Sequence, residues 1–280
     1  MINILVTGAN GYVGKSLVKT LQANYNVLEI RNDSEYSVHE NVYCMNLLDA
    51  HHIGLFLDAN LCIDIIVHTA SKMASSENVK DFTLLHDNLR MYEHLVQIAE
   101  KLQAKKVINF SSIALYPNQD GEYSENSQVN PSPNSDVLYG LSKFCGENIL
   151  DSMLKSSSTK ITHMRISQIF SDDLREDRLY SVMKKELLES NKITVYGNGE
   201  RVSNFIHKDL LLQKVLFFIK NEHEGVFNIG DKNFSYKEFA EYVRNIFGNQ
   251  NSEIILKPEG PYIGCSRVSG IDFKYFWNAV

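Results

Sequence analysis

The sequence predicts an α/β fold, a doubly wound parallel sheet followed by a smaller C-terminal lobe. In the first half of the 280 residues, short apolar runs alternate with helical patterns. Most of these runs are nearly continuous Val, Ile and Leu, as in strands that are buried on both faces. Alternation of this kind predicts a parallel sheet covered by helices. The candidate strands are residues 2–7, 26–30, 41–46, 64–70, 106–112 and 160–167.

Amphipathic helices are predicted between several of these strands. Val13, Leu17, Val18 and Leu21 recur at helical spacing directly after the first strand. A second helical pattern, over about residues 88–105, places Leu, Tyr, Val and Ala side chains on one face. Each helix can therefore cover the sheet with an apolar face.

The alternation changes after about residue 165. Short strands are predicted near 193–197 and 226–230, and helices near 210–219 and 235–248, with no internal repeat or low-complexity linker. The second half is therefore expected to form a smaller lobe whose segments return to the first domain. The predicted domains are 1–165, with returning segments near 203–230, and a discontinuous lobe, 166–280.

The composition argues against several classes of protein. A net charge of -6 disfavours a nucleic-acid binder, which would show a basic patch. The four cysteines have no metal-binding spacing, and the adjacent His51 and His52 would diverge on a helix, so no metal site is expected. We see no signal peptide and no run of about 18 apolar residues. The expectation is a cytoplasmic protein with free thiols and no membrane partner.

A glycine-rich loop lies between the first strand and the first helix. Gly8, Gly11 and Gly14 are spaced as in the dinucleotide-binding loop of the Rossmann fold. Gly8 allows a tight turn, Gly11 lets the backbone approach a pyrophosphate, and Gly14 permits close helix packing. The helix N-terminus would face the phosphates with its N–H groups and its positive dipole end. The loop therefore predicts a dinucleotide site.

The end of the second strand bears on which dinucleotide binds. An acidic residue there often binds the adenosine ribose hydroxyl. Here the strand ends in Arg31 and Asn32 with Asp33 just beyond, and Glu29 is expected to face away. An arginine can hold a 2′-phosphate through its planar fork of donors, which favours NADP. Asp33 keeps NAD as the alternative.

A series of motifs follows along the chain. They are Thr7-Gly8-x-x-Gly11-x-x-Gly14, DIIVHTAS (64–71), Asn88, SSIALY (111–116), YGLSK (139–143), VYGNGERVSNFIHKDL (195–210) and VFNIG (226–230). In this order they resemble the extended short-chain dehydrogenase/reductases, over nearly the whole chain. That group includes nucleotide-sugar 4-epimerases, 4,6-dehydratases and 4-reductases. The ordered set is more specific than any one motif.

The resemblance decides between two Tyr-x-x-x-Lys pairs, Tyr139 with Lys143 and Tyr180 with Lys184. In the family the catalytic pair opens a helix after a proline-containing loop that follows the Ser/Thr strand. Segment 130–136, NPSPNSD, is such a loop, so Tyr139 is expected to be catalytic. A nearby ammonium favours the phenolate form of a tyrosine. The second pair is expected to lie on a helix surface.

The resemblance also implies roles for individual residues. Ser112 would hydrogen-bond the reacting oxygen, Tyr139 would transfer the proton, and Lys143 would hold the nicotinamide ribose. Ser112 is preferred to Ser111 because the family's residue lies four positions before the tyrosine of its motif, here Tyr116. For the cofactor residue Asn88, a purely structural role is the alternative. The expected cofactor-binding residues are Gly8, Asn10, Gly11, Tyr12, Val13, Gly14, Arg31, Asn32, Asn46, Leu47, Thr69, Ala70, Ser71, Asn88, Tyr139 and Lys143.

The residues after Ser112 bear on the reaction. The 4,6-dehydratases carry an acidic residue there, and GDP-fucose synthases carry a cysteine, whereas Ile113, Ala114 and Leu115 follow here. Dehydration, and epimerisation at C3 and C5 by that device, are therefore not expected. A 4-ketoreductase with dissociable NADPH and a 4-epimerase with retained NAD both remain. Arg31 and the modest length, which leaves a small substrate lobe, favour the reductase. A non-catalytic dinucleotide-binding sensor is the third alternative.

The expected substrate is a nucleotide-activated sugar bound by the C-terminal lobe. Many relatives hold its diphosphate with an arginine whose place Ser203 takes in this chain. Arg201 and Arg267 are the candidate phosphate contacts, and Ser112 is the candidate contact to the sugar. The resemblance also implies a homodimer through two helices of each subunit, one of which carries Tyr139.

Overall fold

The structure is a computed structural model that describes residues 1–131, 136–174, 177–260 and 266–269. Parts of the loop 130–136 and of the C-terminal lobe lie outside these residues, as does Cys265. The helices are α1 (Tyr12–Leu21), α2 (Ala50–Asp58), α3 (Thr83–Lys101), α4 (Val137–Met153), α5 (Leu179–Ser190), α6 (Lys208–Lys220) and α7 (Tyr236–Phe247). The strands are β1 (Asn3–Thr7), β2 (Asn26–Arg31), β3 (Ser37–His39), β4 (Val42–Cys44), β5 (Ile65–His68), β6 (Lys106–Ser112), β7 (Gly121–Tyr123), β8 (Lys160–Ile166), β9 (Gln168–Phe170), β10 (Lys192–Tyr196), β11 (Val202–His207), β12 (Gly225–Ile229), β13 (Lys232–Ser235), β14 (Glu253–Lys257) and β15 (Ser266–Val268).

An eight-stranded sheet in the order β12-β8-β6-β5-β1-β2-β4-β3 forms the largest layer. β1 pairs in parallel with β2 on one side and with β5 on the other, and β5 pairs in parallel with β6. β3 runs antiparallel to β4 at the edge. The connections therefore proceed in opposite directions from β1, which creates the kind of switch point where parallel α/β sheets bind ligands. This architecture confirms the predicted doubly wound Rossmann-type fold.

The predicted and observed elements differ where polar residues interrupt the apolar pattern. β11 was not expected because Ser203 and Asn204 lie in its middle, yet both are buried. α3 begins at Thr83, earlier than its predicted start near residue 88. The Asp81 carboxylate accepts the Thr83 N–H at 2.8 Å and thereby satisfies one of the first backbone donors of the helix.

The chain divides into two compact units that interleave in sequence. Unit 1 comprises Met1–Tyr116, Val129–Arg165 and Leu212–Phe227. Unit 2 comprises Pro117–Gln128, Ile166–Leu211 and the residues from Asn228 onward. The assignment of the predicted domains 1–165 and 166–280 to cofactor and substrate binding stays a prediction.

Each unit has its own apolar core. In unit 1, helices α2 and α3 pack on the sheet, and Tyr43 meets Phe56 edge to face with ring centroids 4.9 Å apart. The core of unit 2 is rich in aromatic side chains, with Phe205 stacked on Phe239 at 4.0 Å. Aromatic side chains bury large areas each, which suits a small unit with short strands.

A buried ion pair joins α4 to the large sheet within unit 1. Arg165 on β8 donates to Glu147 on α4 through two bonds, Nη2 to Oε2 at 2.7 Å and Nε to Oε1 at 3.0 Å. Ser111 Oγ donates to the same carboxylate at 2.5 Å, and Arg165 Nη1 donates to Tyr116 Oη at 2.9 Å. Because a buried charge is tolerated when it is paired and hydrogen-bonded, these bonds hold β6, β8 and α4 in one arrangement.

The substitution Glu147→Ala should destabilise the protein strongly, because Arg165 would stay buried without a counter-charge. We expect a loss of about 3–5 kcal/mol in the free energy of unfolding, measured by urea denaturation. The matched control is Glu93→Ala, because Glu93 pairs with Arg90 at 3.2 Å on the exposed face of α3. A surface pair contributes little, so the control should change stability only slightly. Equal losses in the two variants would contradict the role given to the buried pair.

Candidate active site

The glycine loop between β1 and α1 has the geometry of a phosphate-binding turn. Gly8 has a φ of 70°, and a Cβ there would lie 2.8 Å from the backbone of Ala70. A Cβ at Gly14 would lie 2.1 Å from the carbonyl oxygen of Gly8. Gly11 caps α1 without a side-chain hydrogen bond. No capping side chain therefore competes with an anion for the first N–H groups of the helix.

The carboxyl end of β5 lies against this loop. Thr69 Oγ1 donates to the last carbonyl of β1 at 2.7 Å, and Ser71 Oγ donates to Asn88 Oδ1 at 3.2 Å. The Asn88 amide also accepts from the N–H of Lys72 at 2.8 Å and donates to Ser142 Oγ at 3.1 Å. Asn88 thus ties the end of β5 to α4, which supports its structural role. A cofactor contact by Asn88 stays a prediction.

Two asparagines hydrogen-bond the end of β2 to the glycine loop. Asn10 Nδ2 donates to the carbonyl of Asn32 at 3.2 Å, and the N–H of Asn32 donates to Asn10 Oδ1 at 3.1 Å. Tyr12 and Val13 open α1 immediately after Gly11. The structure therefore brings these predicted cofactor residues together at the carboxyl ends of β1 and β2.

The segment after β4 carries two further predicted cofactor residues. Asn46 Oδ1 accepts the N–H of Leu48 at 2.9 Å, and the carbonyl of Leu47 bonds to His94 Nδ1 at 2.6 Å. His94 is buried on α3. These bonds fix the backbone of the segment. The side-chain oxygen of Asn46 is already bonded within it.

Arg31 is part of an ion pair. Its Nε and Nη2 donate to Glu29 Oε2 at 2.8 and 2.7 Å. Glu29 is buried, and Gln22 Nε2 donates to its other oxygen at 3.4 Å. Glu29 contacts Arg31 because residues two apart on a strand share a face. That Glu29 faces away from the adenosine ribose stays a prediction. The positive charge of Arg31 is therefore largely balanced by a carboxylate beneath it.

Ser112 and Tyr139 are brought to adjoining turns by one glycine. Ser112 ends β6, and its Oγ accepts the N–H of Ala114 at 3.1 Å at the start of a short 3₁₀ turn. Tyr139 lies in the first turn of α4, next to Gly140. A Cβ at Gly140 would lie 2.4 Å from the Ala114 carbonyl oxygen and 2.9 Å from Pro131. The glycine therefore lets the first turn of α4 pack directly on the turn that follows Ser112.

Lys143 lies one turn after Tyr139 and is buried. Its ammonium is 5.6 Å from the centre of the Tyr139 ring and donates to the carbonyl of Phe110 at 2.8 Å. A longer bond of 3.5 Å reaches the hydroxyl of Tyr92. Burial lowers the pKa of Lys143 to about 7, and the negative charge of Glu147 opposes that shift. The lysine thus holds a cation beside the phenol in a dry environment.

The second Tyr-x-x-x-Lys pair is built differently. Tyr180 Oη and Lys184 Nζ both donate to Asp172 Oδ1, at 2.9 and 2.7 Å. Tyr180 is buried in the core of unit 2, with its ring 5.4 Å from that of Phe170. The expectation of a surface pair was therefore wrong for Tyr180. The pair is bound to a carboxylate and to the core, as a structural pair would be.

The predicted phosphate contacts lie in unit 2. The guanidinium of Arg201 is 5.1 Å from the centre of the Tyr236 ring, a cation–π distance. Arg267 is exposed on β15. Ser203, at the place of the family's arginine, is buried and accepts from Gln168 Nε2 at 2.8 Å. The role of both arginines in binding substrate stays a prediction.

The sequence-based prediction of the site did not include three residues of this region. Glu147 could have been found, because it follows Lys143 by four positions on the same helix face. Tyr92 and His68 gave no such signal. His68 Nδ1 bonds to Thr7 Oγ1 at 2.8 Å, and burial lowers its pKa to about 3, with a smaller effect from the charge of Lys143. His68 is therefore neutral.

Other features bear on cofactors and environment. Cys44, Cys62 and Cys145 are free thiols. Within the described ranges, no group of three or more His, Cys, Asp or Glu side chains is placed to hold a metal ion. No helix among the described residues is long and apolar enough to cross a membrane.

Comparison with known proteins places this chain. Residues 4–230 match the NAD dependent epimerase/dehydratase family. The chain belongs to that family. Membership confirms the resemblance read from the ordered motifs and the expectation of an NAD(P)-dependent enzyme. The family includes several reactions, so membership alone does not assign one.

Similar proteins in the family carry out different reactions. A dTDP-D-glucose 4,6-dehydratase of Dictyostelium discoideum is 24% identical over 87% of this chain, which spans 62% of that relative's length. A dTDP-4-dehydro-6-deoxyglucose reductase of Escherichia coli is 24% identical over 86% of this chain and 80% of its own. The solved UDP-glucuronic acid 4-epimerase of Bacillus cereus, in complex with UDP-glucuronic acid and NAD, superimposes with a TM-score of 0.76 at 21% identity. The match covers 95% of this chain and 90% of that chain.

The substitution Gly140→Ala should destabilise the protein by overpacking, because the new methyl group would meet the Ala114 carbonyl at 2.4 Å. We expect a loss of about 1–3 kcal/mol in the free energy of unfolding by urea denaturation. Gly54→Ala on α2 is the matched control, since nothing lies within 4 Å of its Cβ position. Alanine is the better helix former, so the control should be neutral or slightly stabilising. A Gly140→Ala variant as stable as the control would refute the close approach.

Proposed function

We propose that this chain is an NAD(P)-dependent oxidoreductase that acts on a nucleotide-activated sugar and reduces a 4-keto group. The observation that carries the proposal is the arrangement of Ser112, Tyr139 and Lys143 around the contact at Gly140. The residues after Ser112 offer no acid or thiol for dehydration or for epimerisation at C3 and C5. The set therefore supports transfer of one hydride and one proton.

The residues around the glycine loop fit a dinucleotide. Gly8 and Gly14 leave no room for a Cβ, and the N-terminus of α1 carries no side-chain cap at Gly11. The pyrophosphate would lie at this N-terminus, and Asn10, Asn32 and the segment 69–71 would flank it. When bound, the nicotinamide supplies or accepts the hydride.

The chain's own residues would handle the proton. Tyr139 would donate its hydroxyl proton to the sugar oxygen as the carbonyl is reduced. Lys143 would stabilise the negative charge left on the tyrosine oxygen and would hold the nicotinamide ribose. Ser112 accepts a backbone N–H, so its own hydrogen is suited to bond the reacting oxygen.

A 4-epimerase is the second candidate, because the Arg31–Glu29 ion pair favours NAD, the dinucleotide that a 4-epimerase retains. A dissociable NADPH was expected because the Arg31 guanidinium could bind its 2′-phosphate. With Nε and Nη2 committed to a buried carboxylate, that site is close to neutral. We therefore propose NAD as the dinucleotide, with NADP as the alternative. NAD is compatible with either reaction.

The predictions about the two units, the oligomeric state and the location are part of the same proposal. We assign the dinucleotide to unit 1 and the nucleotide portion of the sugar substrate to unit 2, with Arg201 and Arg267 as phosphate contacts. A homodimer remains a prediction from the family, and a cytoplasmic location remains a prediction from the sequence. A non-catalytic sensor is the competing class, and it would need no proton donor at position 139.

The substitution Tyr139→Phe should lower kcat by about 10²–10⁴-fold, because it removes the proton donor and keeps the ring. Turnover of dTDP- and UDP-linked 4-keto sugars with NADH and NADPH would be followed by loss of dinucleotide absorbance. Tyr180→Phe is the matched control, because it removes the hydroxyl of the other Tyr-x-x-x-Lys pair. Undiminished turnover in Tyr139→Phe would refute the mechanism. A wild-type protein that binds dinucleotide but turns over none of these sugars would favour the sensor.

The dinucleotide preference gives a separate test. Calorimetry on the wild-type protein should show tighter binding of NAD⁺ than of NADP⁺. Glu29→Gln releases the guanidinium of Arg31, so we expect NADP⁺ binding to strengthen by about tenfold or more, while NAD⁺ binding changes little. The double variant Glu29→Gln/Arg31→Ala should lose that gain. NADP⁺ preference in the wild type would overturn the proposal of NAD.

The same protein should be denatured and its released nucleotide identified. The reductase proposal expects little bound dinucleotide after purification. Stoichiometric NAD would instead assign the chain to the 4-epimerases, which retain the cofactor between half-reactions.

A further inference from the structure

A chain of buried polar side chains leads from Lys143 through the core of unit 1. Lys143 Nζ donates to Tyr92 Oη at 3.5 Å, and Tyr92 Oη donates to Asn109 Oδ1 at 3.2 Å. Asn109 Nδ2 bonds to His163 Nδ1 at 3.0 Å, and His163 Nε2 bonds to Asp151 Oδ1 at 2.9 Å. The path leaves α4 at Lys143, crosses α3, β6 and β8, and returns to α4 at Asp151.

The middle of this path is costly to bury. Tyr92, Asn109 and His163 are each at most 1% exposed. An amide or an imidazole in such a place loses its bonds to water, so it must be paired within the protein. Asp151 is 60% exposed and gives the path an end in solvent. The active-site proposal uses none of Tyr92, Asn109, His163 and Asp151.

The direction of every bond follows from the exposed end. A carboxylate only accepts, so His163 must carry a hydrogen on Nε2 to bond Asp151. The NH₂ group of Asn109 faces His163 Nδ1, so Nδ1 is an acceptor without a hydrogen. The Asn109 oxygen consequently faces Tyr92 and requires the hydroxyl to donate. Tyr92 is left with a lone pair directed to Lys143.

We propose that Asn109 and His163 are positioning residues that make the Tyr92 hydroxyl a hydrogen-bond acceptor for the Lys143 ammonium. Tyr92 is then a second anchor for this cation, beside the carbonyl of Phe110. If Asn109 were reversed, its NH₂ group would donate to Tyr92, and the phenolic hydrogen would point at the ammonium. The path prevents that reversal. Its importance for catalysis depends on the proposed role of Lys143.

The groups around the ammonium are consistent with this role. Glu147 lies one turn further along α4 and raises the pKa of Lys143, whereas burial lowers it. His68, whose ring is 5.3 Å from that of Tyr92, has its pKa lowered by burial and is neutral. Burial also raises the pKa of Tyr92 well above its ordinary value, so Tyr92 remains a neutral phenol. Tyr92 therefore acts on Lys143 as an oriented dipole.

The test is the titration of Lys143 in the full chain without cofactor or substrate. NMR of ¹³Cε-labelled lysine reports each ammonium, and loss of one signal in Lys143→Met assigns it. The wild-type midpoint is expected near pH 7. Tyr92→Phe removes a bond that favours the charged form, so we expect the midpoint to fall by about 0.5–1 pH unit. An unchanged midpoint would overturn the proposal.

His163→Leu tests the remote part of the path. It frees Asn109 to reverse, so the Lys143 midpoint should fall, by less than in Tyr92→Phe. In Tyr92→Phe/His163→Leu the second substitution should add nothing, because His163 acts through Tyr92. Additive shifts would overturn the positioning role. His94→Leu is the matched control, since it removes a buried histidine bonded elsewhere, and its midpoint should match the wild type.

A spectroscopic measurement covers the case in which His163→Leu does not fold. Imidazole ¹⁵N shifts of the wild-type protein should show a hydrogen on His163 Nε2 and none on Nδ1, and a hydrogen on Nδ1 in any form of the ring would overturn the proposal. Asp151→Ala, at an exposed site, should weaken that preference and lower the Lys143 midpoint. These measurements need no turnover, so their failure is distinguishable from failure of Tyr139→Phe to lose activity.

Discussion

The buried face of α4 has to carry charge inside an apolar core. Lys143 and Glu147 lie one turn apart on that face, and they are only 2% and 4% exposed. A buried charge is stable only with a counter-charge and hydrogen bonds. Arg165 from β8 supplies the counter-charge for Glu147, and Phe110 from β6 supplies a carbonyl for Lys143. The position of α4 on the sheet, and with it that of Tyr139, depends on these contacts.

The candidate site also depends on two places where backbone segments approach each other closely. At Gly8 the loop after β1 meets the end of β5, and at Gly140 the first turn of α4 meets the turn after Ser112. Any side chain at either place would separate the segments. The glycine loop is positioned in the same way as Ser112 and Tyr139. In each case a glycine lies where the end of one element contacts the backbone of its neighbour.

Much of the fold and of the candidate site could be predicted from the sequence. Gly8, Gly11 and Gly14 follow a buried strand and precede an amphipathic helix, so the turn that they form could be predicted from their order. Tyr139 could be separated from Tyr180 because it follows the strand that ends in Ser112. The partners of Arg31 and Tyr180 were missed. Glu29 could have been expected, because it shares a strand face with Arg31, whereas Asp172 reaches Tyr180 from a turn outside α5.

What the sequence by itself determined is the α/β class, the glycine loop between β1 and α1, and the family, since each rests on a local period or on the order of motifs. Only the tertiary structure decided how charge is balanced. It paired Glu147 with Arg165 and linked Lys143 to Asp151 through Tyr92, Asn109 and His163. Pairing of this kind depends on contacts between residues far apart in the chain, because a charge or dipole in a low-dielectric core responds to its nearest neighbours in space.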